Sequence, residues 1–252
     1  MFGVKGSDRS AKTLRVDLPP TRLFVNFNDD KLLVATLSQD PTNIDFTEII
    51  EVERGLGNYI ADFRPLPKYR IMVLTSNGYL NLIEYADHRG NPKHPILLNW
   101  HRLTKDRGND IELPQERFLT LILCPRNSYM AVSSSRGESD SISRIFFLEF
   151  FRSEEIIERD FYELKSHLRD HSGFRGMAFL GYFHMFPLLV AIEGYGEGSL
   201  WAFLYDGARL SEFFEKRPGY HQSDTHRMVK IEGKIWSLDA AGNLKSFWLS
   251  TY

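Results

Sequence analysis

The sequence predicts an all-β fold assembled from five recognisable copies of one unit, and three observations carry that expectation. Aromatic residues make up 13% of the chain, with 19 Phe and 11 Tyr, and such side chains pack well on pleated surfaces. A pattern of strand, Pro-containing or polar turn, strand, Gly turn, strand recurs along the chain. Many of these strands are apolar on both faces, as in "RLFVNF", "RIMVLT", "LTLILC", "RIFFLEFF" and "PLLVAI", which requires both faces of the sheet to be covered.

Taken in order, the first copy is "TRLFVNFNDDKLLVATLSQDPTNIDFTEIIEVER", with Asn28-Asp29-Asp30 as its first turn. The second runs through "YIADFRPLPKYRIMVLTSNGYLNLIEY". Its Asn77-Gly78 pair suits a type I′ hairpin turn, because both residues tolerate positive φ. The segment from His88 to Arg117 follows as an outer strand around "PILLNW" and an extended surface loop. The third copy begins at Phe118, with Cys124-Pro125-Arg126-Asn127 as its turn and a polar loop around Gly137. After it, "SEEIIERDFYELKSHLRDH" from Ser153 to His171 places Ile157, Phe161, Leu164 and Leu168 on one helical face. Ser153 stands as its cap. This predicts one inserted helix, the alternative being a fourth strand. The fourth copy begins at Phe174 and carries Gly194, Gly196 and Gly198 between its second and third strands; the fifth begins at His226, with Ala240-Ala241-Gly242-Asn243 as its turn.

The middle strands of the copies start near Leu32, Ile71, Tyr129, Leu188 and Ile235, at steps of 39, 58, 59 and 47 residues. These bracket the roughly 40–50 residues of a four-stranded propeller blade with insertions. The short loops leave no room for the crossover helices of a parallel sheet. Stacked blades satisfy both demands, so the expected architecture is a β-propeller of about five blades forming a single domain over residues 1–252. The N-terminal strand, residues 12–18 ("KTLRVDL"), pairs with the last blade and closes the ring, or the ring is open. Two smaller β-rich domains divided near residues 102–115 are the other arrangement.

Composition narrows the function classes. Charge is nearly balanced, 31 basic against 33 acidic residues, which supplies no global attraction to nucleic acid or an anionic membrane. The single cysteine, Cys124 in "FLTLILCP", cannot form an intramolecular disulfide and reads as a small buried hydrophobe. The first twenty residues lack the apolar core of a signal peptide, and no apolar run is long enough for a membrane helix. The expected location is intracellular, cytoplasmic or nuclear, without membrane insertion.

Signatures of chemistry are weak. The cluster "EGYGEGS" lies between strands and does not open a helix, so it reads as a hairpin loop and not as a phosphate loop. His167 and His171 lie four apart without a third ligand in register, and His88, His94 and His101 share no fixed spacing; a zinc site needs three or four ligands. No cofactor and no metal are expected. Asp62 in "YIADFRP", with Asp29, Asp30 and Glu232 flanking other inner strands, supports an alternative: a glycan-binding or glycoside-processing five-bladed propeller using paired acids.

"FLTLILCPRNSYMAVSSS" resembles the first two strands of a WD-repeat blade, and "VLTSNGYLNLIEYA" and "SLDAAGNLKSFWLS" resemble its second hairpin, with Tyr85 and Trp248 in the terminal aromatic place. The chain therefore resembles a divergent WD-repeat-like β-propeller. No Trp-Asp or Gly-His dipeptide occurs, so that family's internal hydrogen-bond network is not carried over. The leading expectation is a non-catalytic scaffold, a subunit that docks protein partners in a multi-subunit complex. Its partner-binding rim comprises Asn77, Arg136, Glu138, Tyr195, Glu197 and Asn243. The aromatic "GYFHMF" segment, with Tyr182 and Phe183, is a second contact.

Overall fold

The computed structural model describes residues 11–17, 22–27, 30–36, 46–52, 58–87, 89–103, 116–124, 128–136, 141–150, 154–166, 173–193, 199–217, 225–231 and 234–247. Every regular element among them is a β-strand. The chain divides into two compact units, residues 1–100 and 101–252.

The first unit holds two antiparallel meanders. One is β1 (Ala11–Asp17), β2 (Arg22–Phe27), β3 (Lys31–Thr36) and β4 (Thr47–Glu51), paired in that order. The other is β5 (Ile60–Leu66), β6 (Arg70–Thr75), β7 (Tyr79–Ala86) and β8 (Pro92–Arg102), the last running just past the unit boundary. The N-terminal strand, expected to pair with the last blade, is hydrogen-bonded along its length to β2. It adds a strand before those drawn for the first copy.

Between the two meanders Phe24, Leu32, Val34 and Ile49 meet Phe63, Ile71, Val73, Ile83 and Tyr85. The continuous apolar run of β6 is covered on both faces: Ile71 and Val73 enter this cluster, while Met72 and Leu74, on the opposite face, are equally buried. Each such side chain contributes roughly 1.5–3 kcal/mol.

The connection from β6 to β7 corrects one expectation. Of Asn77 and Gly78 only Gly78 has positive φ, 88°, and Gly78 N donates to Thr75 O. The loop Ser76-Asn77-Gly78 is therefore a three-residue turn closed by a left-handed glycine, not a two-residue type I′ turn. Thr75 Oγ1 accepts the Tyr79 N–H and lies 2.5 Å from Asn77 Oδ1, so Thr75 fixes the loop from below.

The second unit holds three meanders: β9 (Glu116–Leu123) to β12 (Ile156–Ser166), through β10 (Tyr129–Arg136) and β11 (Ser141–Phe150); β13 (Phe174–Phe183), β14 (Phe186–Glu193), β15 (Leu200–Tyr205) and β16 (Leu210–Arg217); and β17 (Thr225–Ile231), β18 (Lys234–Asp239) and β19 (Leu244–Phe247). The last meander has three strands among the described residues.

The helix expected over 153–171 is not formed; Ile156–Ser166 is β12, laddered to β11. The register explains the misleading spacing. Phe147 faces Asp160 and Leu148 faces Glu158, so Arg159 is an extra residue in a bulge. A bulge inverts the two-residue alternation: Ile157 and Phe161 lie on opposite faces of the sheet, although four residues apart as on a helix. Glu154, which follows the expected cap Ser153, has φ 69°, which no right-handed helix accommodates.

These three meanders stack. Ile122, Ala131, Ile145 and Phe147 of the first pack on Met177, Phe179, Leu189, Ala191, Trp201 and Phe203 of the second. The second presents its other face, Ala178, Val190, Ile192, Leu200 and Ala202, to Ile235, Met228 and Phe247 of the third. Within β9–β12 the buried Arg144 binds Glu116 through Nη1 and Glu163 through Nε at 2.7 Å, and Ser134 Oγ donates to Glu116. Burial opposes the arginine's charge, but the two carboxylates outweigh it and hold its pKa above the ordinary value.

Candidate interaction surface

The end of the second unit at the β13–β14 turn carries the most exposed of the large apolar side chains described. β13 and β14 pair to Phe183–Phe186, leaving His184-Met185 as a two-residue loop. His184 sits at φ 54°, a conformation usually given to glycine, asparagine or aspartate in such loops. The strain is small for a histidine but real. It turns Met185 outward, 84% exposed, with Phe186 beside it at 37%. A bulge in β13 between Phe179 and Gly181 re-aims the strand just before the turn.

The loop rests on a firm base. Phe183 packs against Phe213 of β16 at 4.9 Å and against its neighbour His184 at 4.5 Å. Tyr182 Oη lies 2.9 Å from Cys124 Sγ, a fully buried thiol, as the apolar setting of Cys124 foretold. The turn from β15 to β16 stands close by, since a Cβ on Gly207 would lie 3.9 Å from Phe186. There Asp206 accepts the N–H groups of Ala208 and Arg209, each at 2.8 Å. Those bonds hold its carboxyl below the ordinary value. The result is an apolar, aromatic knob on a rigid double hairpin.

The other site residues named from the sequence do not join this knob. Arg136 ends β10, and a Cβ on Gly173, which precedes β13, would meet Ser135 Cβ at 2.8 Å. Arg136 therefore lies at the end of the unit where β13 begins, away from Tyr182 and Phe183, where it finishes. Asn243 lies in the turn from β18 to β19, its N–H and Nδ2 given to Asp239 at 2.7 and 2.9 Å. Asn77 belongs to the first unit. Glu138, Tyr195, Glu197, Asp29, Glu232, His167, His171 and Trp248 lie outside the described residues.

Sequence reasoning missed one recurring device. Asp87 and Asp239 each begin the pattern D-x-x-G-N, and in both the carboxylate accepts the asparagine's N–H and Nδ2 while the glycine takes φ of 85° or 84°. The repeated spelling, "DHRGN" and "DAAGN", was the available signal.

Comparison with solved structures decides the architecture. The β-propeller domain of Cps50 (Swd1) from Myceliophteria thermophila matches 91% of this chain and 67% of its own, at 10% identity and a TM-score of 0.58. The β-propeller domain of Nup133 from Vanderwaltozyma polyspora matches 94% of this chain and 70% of its own, at 8% identity and a TM-score of 0.63. The chain has the β-propeller fold. A 6-phosphogluconolactonase candidate from Bacteroides fragilis is also similar, over 92% of this chain and 67% of its own, at 11% identity and a TM-score of 0.61. No protein-family model matches the chain, and no curated protein matches it.

The five meanders among the described residues are its blades, matching the five copies read from the repeat spacing. Among the described residues no three His, Cys, Asp or Glu side chains gather as a metal site, and no helix is long and apolar enough to cross a membrane. Asp62, the acid singled out for glycan chemistry, is buried; its Oδ1 accepts from Phe63 N at 2.9 Å and from Arg64 Nη1 at 3.1 Å.

Proposed function

We propose that this propeller is a non-catalytic interaction module, a subunit that docks a protein partner within a larger intracellular assembly. The β13–β14 knob carries the reading. An exposed methionine and phenylalanine on a braced turn present apolar area on a backbone that is already ordered, which lowers the cost of seating them against a partner. Methionine suits such a role because it adapts to irregular partner surfaces.

The test compares the full chain with Met185→Asp in affinity purifications from its native cells, under gentle lysis. Met185 is exposed, so the substitution should change stability by no more than about 0.5 kcal/mol. Supporting the reading, co-purifying proteins fall at least fivefold with the variant while its thermal unfolding is unchanged. A wild-type chain that runs only as a free monomer overturns the reading.

A further inference from the structure

Two arginines are buried among the described residues, Arg22 at 5% exposed and Arg144 at 2%. Arg144 is neutralised by Glu116 and Glu163, whereas no carboxylate of the described residues pairs with Arg22. Its Nη1 donates to Tyr85 Oη at 2.9 Å, and its Nη2 has no hydrogen-bond partner. The other contacts are aromatic: the guanidinium carbon lies 4.2 Å from the centroid of the Tyr69 ring and 5.6 Å from that of Tyr85. Such rings attract the cation but give its N–H groups no acceptor in the plane, and a buried charge without a counter-charge is costly. All three residues belong to the first unit: Arg22 opens β2, Tyr69 stands in the turn from β5 to β6, and Tyr85 is on β7.

The unused donors define the missing group. A guanidinium offers a fork of Nε–H and Nη2–H, two parallel donors matched to two oxygens of an oxyanion. With Nη1 taken by Tyr85, that fork is the edge left for a ligand. One guanidinium balances one negative charge, which a carboxylate carries, whereas a phosphate group carries about −1.5 to −2 at neutral pH. The arginine is nearly enclosed, so the acceptor has to be small. Tyr69 is the half-buried member of the three and forms the wall that gives way. Lys68 and Tyr69 sit at φ 62° and 59°, a left-handed conformation that long side chains seldom adopt, and strain of this kind collects at ligand clamps. The turn is tied to its surroundings: Tyr69 O accepts the Tyr85 N–H at 3.0 Å, and a Cβ on Gly90 would lie 2.7 Å from Tyr69 Oη. We infer that Arg22 holds a small monovalent carboxylate on its Nε–Nη2 edge, with the Tyr69 ring as one wall of the site.

The test titrates acetate into the full chain against chloride at constant ionic strength. It follows the Arg22 Nε–H resonance by NMR, assigned by its loss in Arg22→Lys. The expected result is a saturable one-to-one downfield shift of that resonance in the wild-type chain. The thermal midpoint should rise with acetate concentration, as for a ligand that binds only the folded state. Arg22→Lys keeps the charge but loses the fork, and weakens acetate at least tenfold. Tyr69→Leu, which leaves the guanidinium in place, weakens it at least threefold. Met185→Asp leaves it unchanged, which separates this site from the β13–β14 knob. A shift that stays linear in acetate, an equal response to chloride, or tighter binding of inorganic phosphate than of acetate overturns the inference.

Discussion

Replacing Arg144 by methionine isolates the buried ion cluster of the β9–β12 blade. The guanidinium is 2% exposed and bridges Glu116, 1% exposed, to Glu163, 17% exposed. Its loss leaves Glu116 charged, desolvated and held only by Ser134 among its described contacts. Removing one partner of a buried pair costs about 3–5 kcal/mol. For a unit of this size each kcal/mol moves the midpoint by roughly 2–4 °C, so a fall of roughly 6–20 °C is expected. The assay is urea and thermal unfolding of the full chain, followed by the emission of the buried Trp201. Because the arginine's pKa is raised on folding, its contribution is complete below its unfolded value and is lost only as pH rises through the folded one. The loss on substitution should therefore be equal at pH 6 and pH 8. The double variant Arg144→Met, Glu116→Met should recover most of the stability, since apolar pairs replace buried ion pairs at little cost. A single variant within 1 kcal/mol of wild type, or a double variant less stable than the single, would refute the reasoning.

Three further outcomes are expected. Gly173→Ala should destabilise by about 2–3 kcal/mol in denaturant titration, because φ is 78° and the new Cβ would lie 2.8 Å from Ser135 Cβ and 2.9 Å from Leu119 Cδ1. His184→Gly should stabilise slightly, by up to about 1 kcal/mol, by relieving the left-handed strain; calorimetry checks it. The Asp206 carboxyl is depressed on folding, so the β15–β16 turn should keep its amide protection below pH 3.8, the group's ordinary value. That protection should vanish as pH falls through the lowered value, as followed by NMR at the Ala208 and Arg209 amides.

Much of the fold was legible because it rests on local physics. Continuous apolar runs such as Arg70–Thr75 required cover on both faces, and the short turns between them required antiparallel meanders; both hold. The glycine at position 78 marked a turn, but its type depended on the Thr75 hydroxyl and on the loop hydrogen bond. The segment from Ile156 to Ser166 was misread because a one-residue bulge at Arg159 imitates helical spacing, and a bulge is decided by the partner strand. The "GYFHMF" stretch reads from the sequence as a candidate contact, yet whether it packs inside a blade or faces solvent depends on Phe213 and on the turn at Gly207.

By itself, then, the sequence determined that this chain is built of strands, where most of them begin, and that their faces are covered, since alternation and turn residues act over a few neighbours. The tertiary structure alone decided that β1 joins β2, that Arg136 and Tyr182 stand at opposite ends of one unit, and that Arg22 lies against the rings of Tyr69 and Tyr85. Those outcomes depend on register between strands and on the stacking of blades, which arise from contacts between residues far apart in the chain.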